Sequence, residues 1–579
     1  MNFVYTLYIP NHYTHYVVKP LNKNMNSLLK EVVNLSKMKY CRSHEKKVQY
    51  GTAGFRRKAE EMDFIMYRMG ILAGLRSMLK KAGIGLMITA SHNPECDNGV
   101  KLIDPLGDML EMSWEKHATD LVNVSDSNLD SAVQNIMAAV GLKDLDDIAQ
   151  YPVLIGMDTR RSSPSLSAAA EDGVRALGGV SKHYGLLTTP QLHFLVHYYN
   201  TQKAFGTKED YYKKLGDAFV QLREAGDASN SHYTPDVWAD GANGVGGKEM
   251  KSFLPYLQGK LNVKLVNCGD NGGVLNHMCG ADFVKSQQKP SEVQENDAAV
   301  QPCTRCLSVD GDCDRVVYFY VSKESKFYLL DGDKIATLIA GYLMELLRES
   351  GLKLYLGLIQ TAYANGSSTN YIVNELKVPV SCAKTGVKYL HHEAKSFDIG
   401  VYFEANGHGT VLFSGSAMAS IEEAANDSEL SEDQSIAAKR LKNVVDVINQ
   451  TVGDAISDML LVETILHARG WSIEDWNNAY TDLPNRLLKV QVKDRTVIST
   501  TDAERQTTSP EGLQDAINKV VQKYKSGRSF VRPSGTEDVV RVYAEADTRT
   551  NADLLGYEVA CEVYKRAGGV GDKPVEPTS

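Results

Sequence analysis

Residues 88–102 set a serine between an apolar run and a cluster of polar groups: Ile88-Thr-Ala-Ser-His-Asn-Pro-Glu-Cys-Asp-Asn-Gly-Val-Lys-Leu102. Leu86, Met87 and Ile88 run up to Ser91, His92 and Asn93 follow it, and Lys101 stands further along the same segment. A hydroxyl at a strand end, beside an imidazole and an ammonium, suits a negatively charged partner. A second segment, Asp310-Gly-Asp-Cys-Asp-Arg315, alternates three carboxylates. Alternate residues of a strand share a side, and in a loop these three can converge on one hard cation through oxygen. An EF-hand is excluded, because Arg315 takes the place of its glycine and Val321 that of its final glutamate. A serine plus a loop for a divalent cation points to phosphoryl transfer through Ser91.

Two more loops carry suitable groups. In Arg532-Pro-Ser-Gly-Thr536, the hydroxyls and backbone N–H groups form a nest for phosphate and Arg532 a bidentate clamp. Glu404-Ala-Asn-Gly-His408 offers a carboxylate, an amide and an imidazole for sugar hydroxyls. Each loop also has a plainer reading. Ser91 reads as a helix N-cap with Pro94 in the first turn. The aspartates read as a solvated turn, and the arginine loop as a turn into a strand at 539–546. Apolar residues on both sides of the aspartates (Leu307, Val309, Val316, Val317) disfavour the solvated turn, since a buried strand end does not carry unpaired carboxylates. Gly244-Val-Gly-Gly-Lys248 fails as a P-loop, with Ala242 and Glu249 at required Gly and Ser/Thr positions.

The elements that hold these loops alternate. Helical spacing covers 64–79, 165–177 and 335–347; strands are expected at 84–89, 153–157, 354–359 and 378–382, with a helix at 369–376 between the last two. Such β-α alternation means parallel or mixed sheets covered by helices, with active loops at strand carboxyl ends. Strands at 486–492 and 539–546 instead alternate apolar with polar, the mark of a separate α+β domain. A charged stretch at 207–233 and an acidic one at 419–434 break the chain, the second read as a linker or surface insertion. Residues 1–45 read as a disordered extension, with Met25 and Met38 as alternative starts. That stretch lacks a signal peptide's apolar core and carries no Arg before Arg42.

With 579 residues the chain is too long for one core. A net charge of −9 disfavours non-specific nucleic-acid binding. No apolar run reaches membrane-spanning length. Nine scattered cysteines favour reduced thiols and a cytoplasmic setting; Cys303-x-x-Cys306 has no second pair at zinc spacing.

In order, the loops at 89–94, 310–315, 404–408 and 532–537 resemble those of the α-D-phosphohexomutase superfamily. Its signature is a phosphoserine loop, a metal loop, a sugar loop and a phosphate loop, one per domain. The resemblance runs from about residue 50 to residue 569. Tyr50-Gly-Thr-Ala-Gly-Phe-Arg56, Leu186–Leu192, Cys279–Lys285 and Gln360–Gly366 resemble the subgroup acting on N-acetylated sugars, as does Asn406, where hexose and mannose mutases usually carry serine. The resemblance implies an α/β multi-domain fold: three α/β mixed-sheet domains (46–205, 206–325, 326–455) and a smaller α+β C-terminal domain (456–579) around a central cleft. It implies interconversion of N-acetylglucosamine 6-phosphate and 1-phosphate through a phosphoserine enzyme and a 1,6-bisphosphate, toward UDP-N-acetylglucosamine. Ser91, His92, Lys101, Arg56 and His408 are then catalytic, with Lys101 and His408 as candidates for proton transfer. Mg²⁺ is held by Asp310, Asp312, Asp314 and an oxygen on Ser91, and a hexose 1,6-bisphosphate serves as activator. Glu404, Asn406, His408, Arg315, Arg532, Ser534, Gly535 and Thr536 bind substrate. Arg56, Lys101, Arg315 and a protonated His92 balance phosphate charge, and the C-terminal domain closes over the substrate.

Cys313 stands where the superfamily usually has alanine. It is expected to point away from the ligands and to make the site sensitive to oxidation. The partner implied is a small sugar phosphate, with no nucleic acid, membrane or obligate protein partner. An apolar run before Asp310-Gly-Asp312 also resembles haloacid-dehalogenase-type phosphatases, with Asp310 as nucleophile and Asp312 as acid; Ser91 then has no role.

Overall fold

The structure is a computed structural model and describes residues 24–42, 46–51, 54–224, 232–270, 272–292, 300–534 and 538–577. Its first sheet holds β1 (Phe55–Lys58), β2 (Ile84–Ile88), β3 (Asp97–Ile103), β4 (Val153–Met157) and β5 (Ser181–Leu186) in the order β1-β3-β2-β4-β5. The second holds β6 (Asp236–Asp240), β7 (Asn262–Val266), β8 (Cys306–Val309), β9 (Val316–Val321) and β10 (Phe327–Leu330), ordered β10-β9-β8-β6-β7. The third holds β11 (Leu356–Thr361), β12 (Val380–Ala383), β13 (Ile399–Phe403) and β14 (Gly409–Phe413), ordered β12-β11-β13-β14. In the C-terminal unit β15 (Asn485–Gln491), β18 (Arg528–Pro533) and β19 (Val539–Glu545) form one antiparallel sheet, and β16 (Ser499–Thr501) and β17 (Gln506–Ser509) a small hairpin.

One device recurs in the three large sheets. β2, β8 and β13 are apolar runs buried along their whole length, as strands covered on both faces must be. Each has a parallel neighbour on one side and a returning antiparallel partner on the other: β4 and β3, β6 and β9, β11 and β14. The turns into those antiparallel partners are the serine, aspartate and Glu404 loops. The Arg532 loop is likewise the turn between β18 and β19. The N-cap reading of Ser91 therefore fails, because a strand rather than a helix follows it.

The cores correct several expected boundaries. The helix Met25–Lys39 lies within the supposed disordered extension, yet Leu28, Leu29 and Val32 belong to the core of the first sheet. Residues 1–23 lie outside the described residues. The second and third sheets share one core, joining Leu307 and Val316 to Leu358, Val401 and Leu460. β10 pairs with β9, so the second sheet continues past 325. The helix Ala455–Arg469 and Trp476 lie in the shared core, so the C-terminal unit does not begin at 456. The expected linker at 419–434 is two helices, Gly415–Asn426 and Glu432–Val447. Ala417, Ile421 and Ala425 give the first a buried stripe that its surrounding glutamates conceal. The charged stretch at 207–233 contains the helix Lys208–Glu224. Among the described residues no helix is long and apolar enough to cross a membrane, and no disulfide joins any of the cysteines.

Ion pairs tie the first unit to the third. Lys388 Nζ donates to both Glu115 oxygens at 2.6 and 2.9 Å, and Lys395 Nζ to Asp108 Oδ2 at 2.8 Å. Burial acts to raise the Asp108 carboxyl, but His391 and Lys395 outweigh it and hold it at about 2. A carboxyl lower in the folded than in the unfolded chain stabilises fully above its unfolded value, and that contribution is lost as pH falls toward 2. Asp108→Asn is therefore expected to lower Tm at pH 7, and the gap to the parent should narrow between pH 5 and pH 3. A pH-independent gap in thermal melts would contradict this.

Candidate active site

Ser91 sits on a tight turn with φ +53, in the left-handed region. Its N–H donates to Thr89 Oγ1 at 2.9 Å, and its Oγ–H donates to Asp310 Oδ2 at 2.6 Å. The first and second sheets thus meet through the proposed nucleophile and the aspartate loop. The approach needs a glycine at 311, where a Cβ would lie 2.6 Å from the Ser91 carbonyl oxygen. The third sheet docks on the other side of the aspartate loop. Val316 N–H donates to Gly407 O at 3.1 Å, and a Cβ at Gly407, φ +85, would meet Val316 O at 1.9 Å. His408 Nδ1 is brought to 3.2 Å from Asp314 Oδ1.

Asp310, Asp312 and Asp314 are buried, and each offers an oxygen within 4.8 Å of the others. This is no solvated turn. Burial, together with Asp314 and Asp312, raises the Asp310 carboxyl well above its usual range. Burial also works on Asp314, but Lys101 and His408 hold it well below. Lys101 Nζ donates to Asp312 Oδ2 and Asp314 Oδ2, both at 2.8 Å, and Thr189 Oγ1 donates to Asp312 Oδ2 at 2.6 Å. Asp312 Oδ1 is buried with no hydrogen-bond partner among the described residues. Three converging carboxylates, two of which (Asp312 and Asp314) have a buried Oδ1 with no hydrogen-bond partner among the described residues, fit a hard divalent cation.

Three cationic side chains face the three carboxylates. Arg315 Nε lies 3.8 Å from Asp310 Oδ2 and 3.7 Å from Asp314 Oδ1. Arg56 on β1 donates to Asn93 Oδ1 at 3.5 Å. Burial acts against the Lys101 ammonium, yet Asp312 and Asp314 raise its pKa overall. The cationic form expected of His92 is disfavoured by its neighbours. Arg315, burial and Arg56 hold that imidazole well below its ordinary value, and its Nδ1 faces Ser91 Oγ at 3.4 Å.

The Glu404 loop is braced internally. Asn406 Nδ2 donates to Glu404 Oε2 at 3.1 Å, His408 N–H to Asn406 Oδ1 at 3.0 Å, and Gly386 N–H to Glu404 Oε1 at 3.1 Å. His408 Nε2 is buried without a partner among the described residues. The Arg532 loop joins from the C-terminal unit through Glu504. Arg532 Nη1 donates to both Glu504 oxygens at 3.1 Å, and Thr385 N–H to Glu504 Oε2 at 3.0 Å. Ser534 is buried and its N–H donates to Val539 O at 2.9 Å. Gly535 and Thr536 lie outside the described residues.

Sequence reasoning missed Thr189, Thr385 and Glu504. Thr189 lies in Leu186–Leu192, where Thr-Thr-Pro ahead of an apolar run was a legible helix start. Glu504 had no signal, since a carboxylate in a polar hairpin looks like surface. Cys313 does point away from the aspartates, into the core with Val309. Burial and Asp454 push its thiol well above its ordinary value, so the expected sensitivity to oxidation does not follow.

Fold and loops together define a phosphohexomutase of the α-D class, and comparison with known proteins agrees. Phosphoglucomutase/phosphomannomutase alpha/beta/alpha domain I matches residues 71–129 and 123–206, and the C-terminal domain of the same family matches 487–560. Phosphoacetylglucosamine mutase AMG1 domain II matches 201–317 and its domain III matches 331–471. Phosphoacetylglucosamine mutases of Sus scrofa and Homo sapiens are 55% and 53% identical over 93% of this chain and 98% of theirs. The solved Aspergillus fumigatus N-acetylphosphoglucosamine mutase in complex with GlcNAc-6P and magnesium is 41% identical, covers 93% of this chain and 99% of its own, and superposes with a TM-score of 0.86. The chain belongs to the phosphoacetylglucosamine mutase family.

Proposed function

We propose that the chain interconverts N-acetylglucosamine 6-phosphate and N-acetylglucosamine 1-phosphate through a phosphoryl group carried on Ser91. The observation that carries this reading is the 2.6 Å hydrogen bond from Ser91 Oγ to Asp310 within a buried aspartate triad. A binding protein has no need of a hydroxyl there.

Ser91 carries the phosphoryl group at rest. The 6-phosphate of the sugar binds at Arg532, Ser534, Gly535 and Thr536, and its hydroxyls meet Glu404, Asn406 and His408. The sugar O1 attacks phosphorus on Ser91, the bond from phosphorus to Oγ breaks, and a 1,6-bisphosphate results. His408 Nε2, buried and unpartnered, takes the O1 proton in this reading. The bisphosphate turns over; Ser91 Oγ, left as an oxyanion by the first transfer, attacks the 6-phosphorus, the bond from that phosphorus to O6 breaks, O6 takes up the proton held on His408, and the 1-phosphate leaves. Arg56, Lys101 and Arg315 hold the moving negative charge, which is most of what phosphoryl transfer asks of a protein. Asp310, Asp312 and Asp314 would hold Mg²⁺. When bound, the ion polarises phosphoryl oxygens and offsets their charge.

A hexose 1,6-bisphosphate primes Ser91, and cysteines that form no disulfide among the described residues suit a reducing cytoplasm. The product is a precursor for UDP-N-acetylglucosamine. The test is turnover: with Mg²⁺ and catalytic glucose 1,6-bisphosphate, phosphorus NMR should show N-acetylglucosamine 6-phosphate giving the 1-phosphate. A protein that binds the sugar phosphate without producing the isomer defeats the reading. Arg532→Ala removes a charge-assisted contact worth about 1.5–3 kcal/mol, so KM should rise by roughly ten- to a hundredfold. A KM unchanged by that substitution would move the phosphate site elsewhere.

A further inference from the structure

Two carbonyls of the serine loop, Ser91 O and Asn93 O, are gripped from opposite sides. Arg160, from the segment after β4, donates Nη2 to both, at 2.9 Å each. Its Nη1 takes Pro94 O at 2.6 Å and Asp97 O at 3.0 Å, and its Nε pairs with Asp158 Oδ2 at 3.0 Å. Asp158 Oδ2 also accepts from Thr89 Oγ1 at 2.7 Å, the same hydroxyl that receives the Ser91 N–H. Both Arg160 and Asp158 are buried.

The second grip comes from the other sheet. Asn276 lies in the loop between β7 and the helix Ala281–Gln287. Its Nδ2 donates to Ser91 O at 2.8 Å and to Asn93 O at 3.0 Å. Its own backbone is fixed, with N–H donating to Ala242 O at 2.9 Å. One NH₂ group from each sheet therefore spends both hydrogens on the same two carbonyls, and each carbonyl uses both its lone pairs. Facing two acceptors, the amide of Asn276 has only one sensible orientation.

We propose that Arg160 and Asn276 form a clamp across the seam between the first two sheets, and that Asn276 is a positioning residue for phosphoryl transfer. The clamp holds Ser91 in its left-handed backbone conformation, which is strained for a serine and persists only where its surroundings fix it. It also registers Oγ on the first sheet against the aspartates on the second, since Asn276 and Asp310 belong to the same sheet unit. Neither residue touches the reacting atoms. The proposal rests on Ser91 being the phosphoryl carrier. Misplacing a nucleophile by about 1 Å can cost about a hundredfold in rate.

The experiment follows the rate at which glucose 1,6-bisphosphate phosphorylates Ser91, by rapid quench and intact mass, in the parent, Asn276→Ala, Asn276→Asp and Arg160→Lys. Asn276→Ala is expected to slow phosphorylation and kcat by roughly tenfold, and Asn276→Asp, which aims a carboxylate at two carbonyls, by about a hundredfold. KM for the sugar phosphate should stay within about twofold, because the phosphate loop is untouched. Arg160→Lys keeps the charge beside Asp158 but not the fork, and should show the same split between kcat and KM. Parent-like phosphorylation in both Asn276 variants overturns the clamp, as does a loss of kcat no greater than the loss of folded protein seen by circular dichroism. A parent that takes no phosphoryl group on Ser91 defeats the mutase reading itself, and the clamp with it.

Discussion

Ser91→Ala loses at least about 10³-fold in kcat, because a covalent carrier has no substitute in the site. The substitution removes one hydroxyl from a buried turn whose carbonyls, N–H and backbone angle are held by other groups. The fold and the sugar-phosphate subsites should therefore survive, and Kd for N-acetylglucosamine 6-phosphate should change by no more than about twofold. Ser91→Gly relieves the left-handed backbone and removes the same hydroxyl, and it should be equally inactive. Inactivity in both variants with intact binding separates loss of chemistry from loss of structure. Substantial turnover in either variant would mean that the phosphoryl group travels by another route.

Removing the divalent cation lowers kcat by at least about a hundredfold, reversibly. Three carboxylates face Lys101, Arg56 and Arg315, so the protein's own charges nearly cancel there. Phosphoserine brings about −1.5 to −2, which only an added cation offsets without protonating an aspartate. Chelation should abolish turnover, and Mg²⁺ should restore it. Added Mg²⁺ should also raise Tm, since a ligand at a hundred times its Kd stabilises by about 2.7 kcal/mol. Asp312→Asn keeps the shape and removes one charge from the triad, and it should weaken both effects. Full activity in the presence of chelator would contradict the assignment of the triad.

The chemistry was more legible than the architecture. Ser91, the aspartates and the Glu404 loop each follow an apolar run, and each lies at a strand end because buried backbone must run to the sheet edge before polar groups can be exposed. The sequence offered no sign that all four loops are hairpin turns. Apolar runs at 84–88 and 306–309 announce strands, but pairing direction depends on where the chain goes next. Boundaries failed where cores are shared. Helix Ala455–Arg469 follows the sugar loop in sequence yet packs between the second and third sheets, and a long-range contact leaves no local mark. The same holds for Arg160, Asn276 and Glu504. An arginine after a strand, an asparagine in a loop and a glutamate in a hairpin are ordinary residues until tertiary structure gives them partners.

His92 shows how environment overrides residue type. Beside a serine it reads as a cation or base, but Arg315 and Arg56 already supply that charge, and a third positive group among them is disfavoured. Lys101 is the converse case, a buried amine kept charged by two carboxylates.

The most direct measurement is the fate of the phosphoryl group. Protein exposed to glucose 1,6-bisphosphate and Mg²⁺ is analysed by intact mass and peptide mapping, before and after a chase with N-acetylglucosamine 6-phosphate. The account predicts one acid-stable phosphoryl group, on Ser91, that the chase removes into product. No gain in mass, or an acid-labile adduct on Asp310, would contradict it.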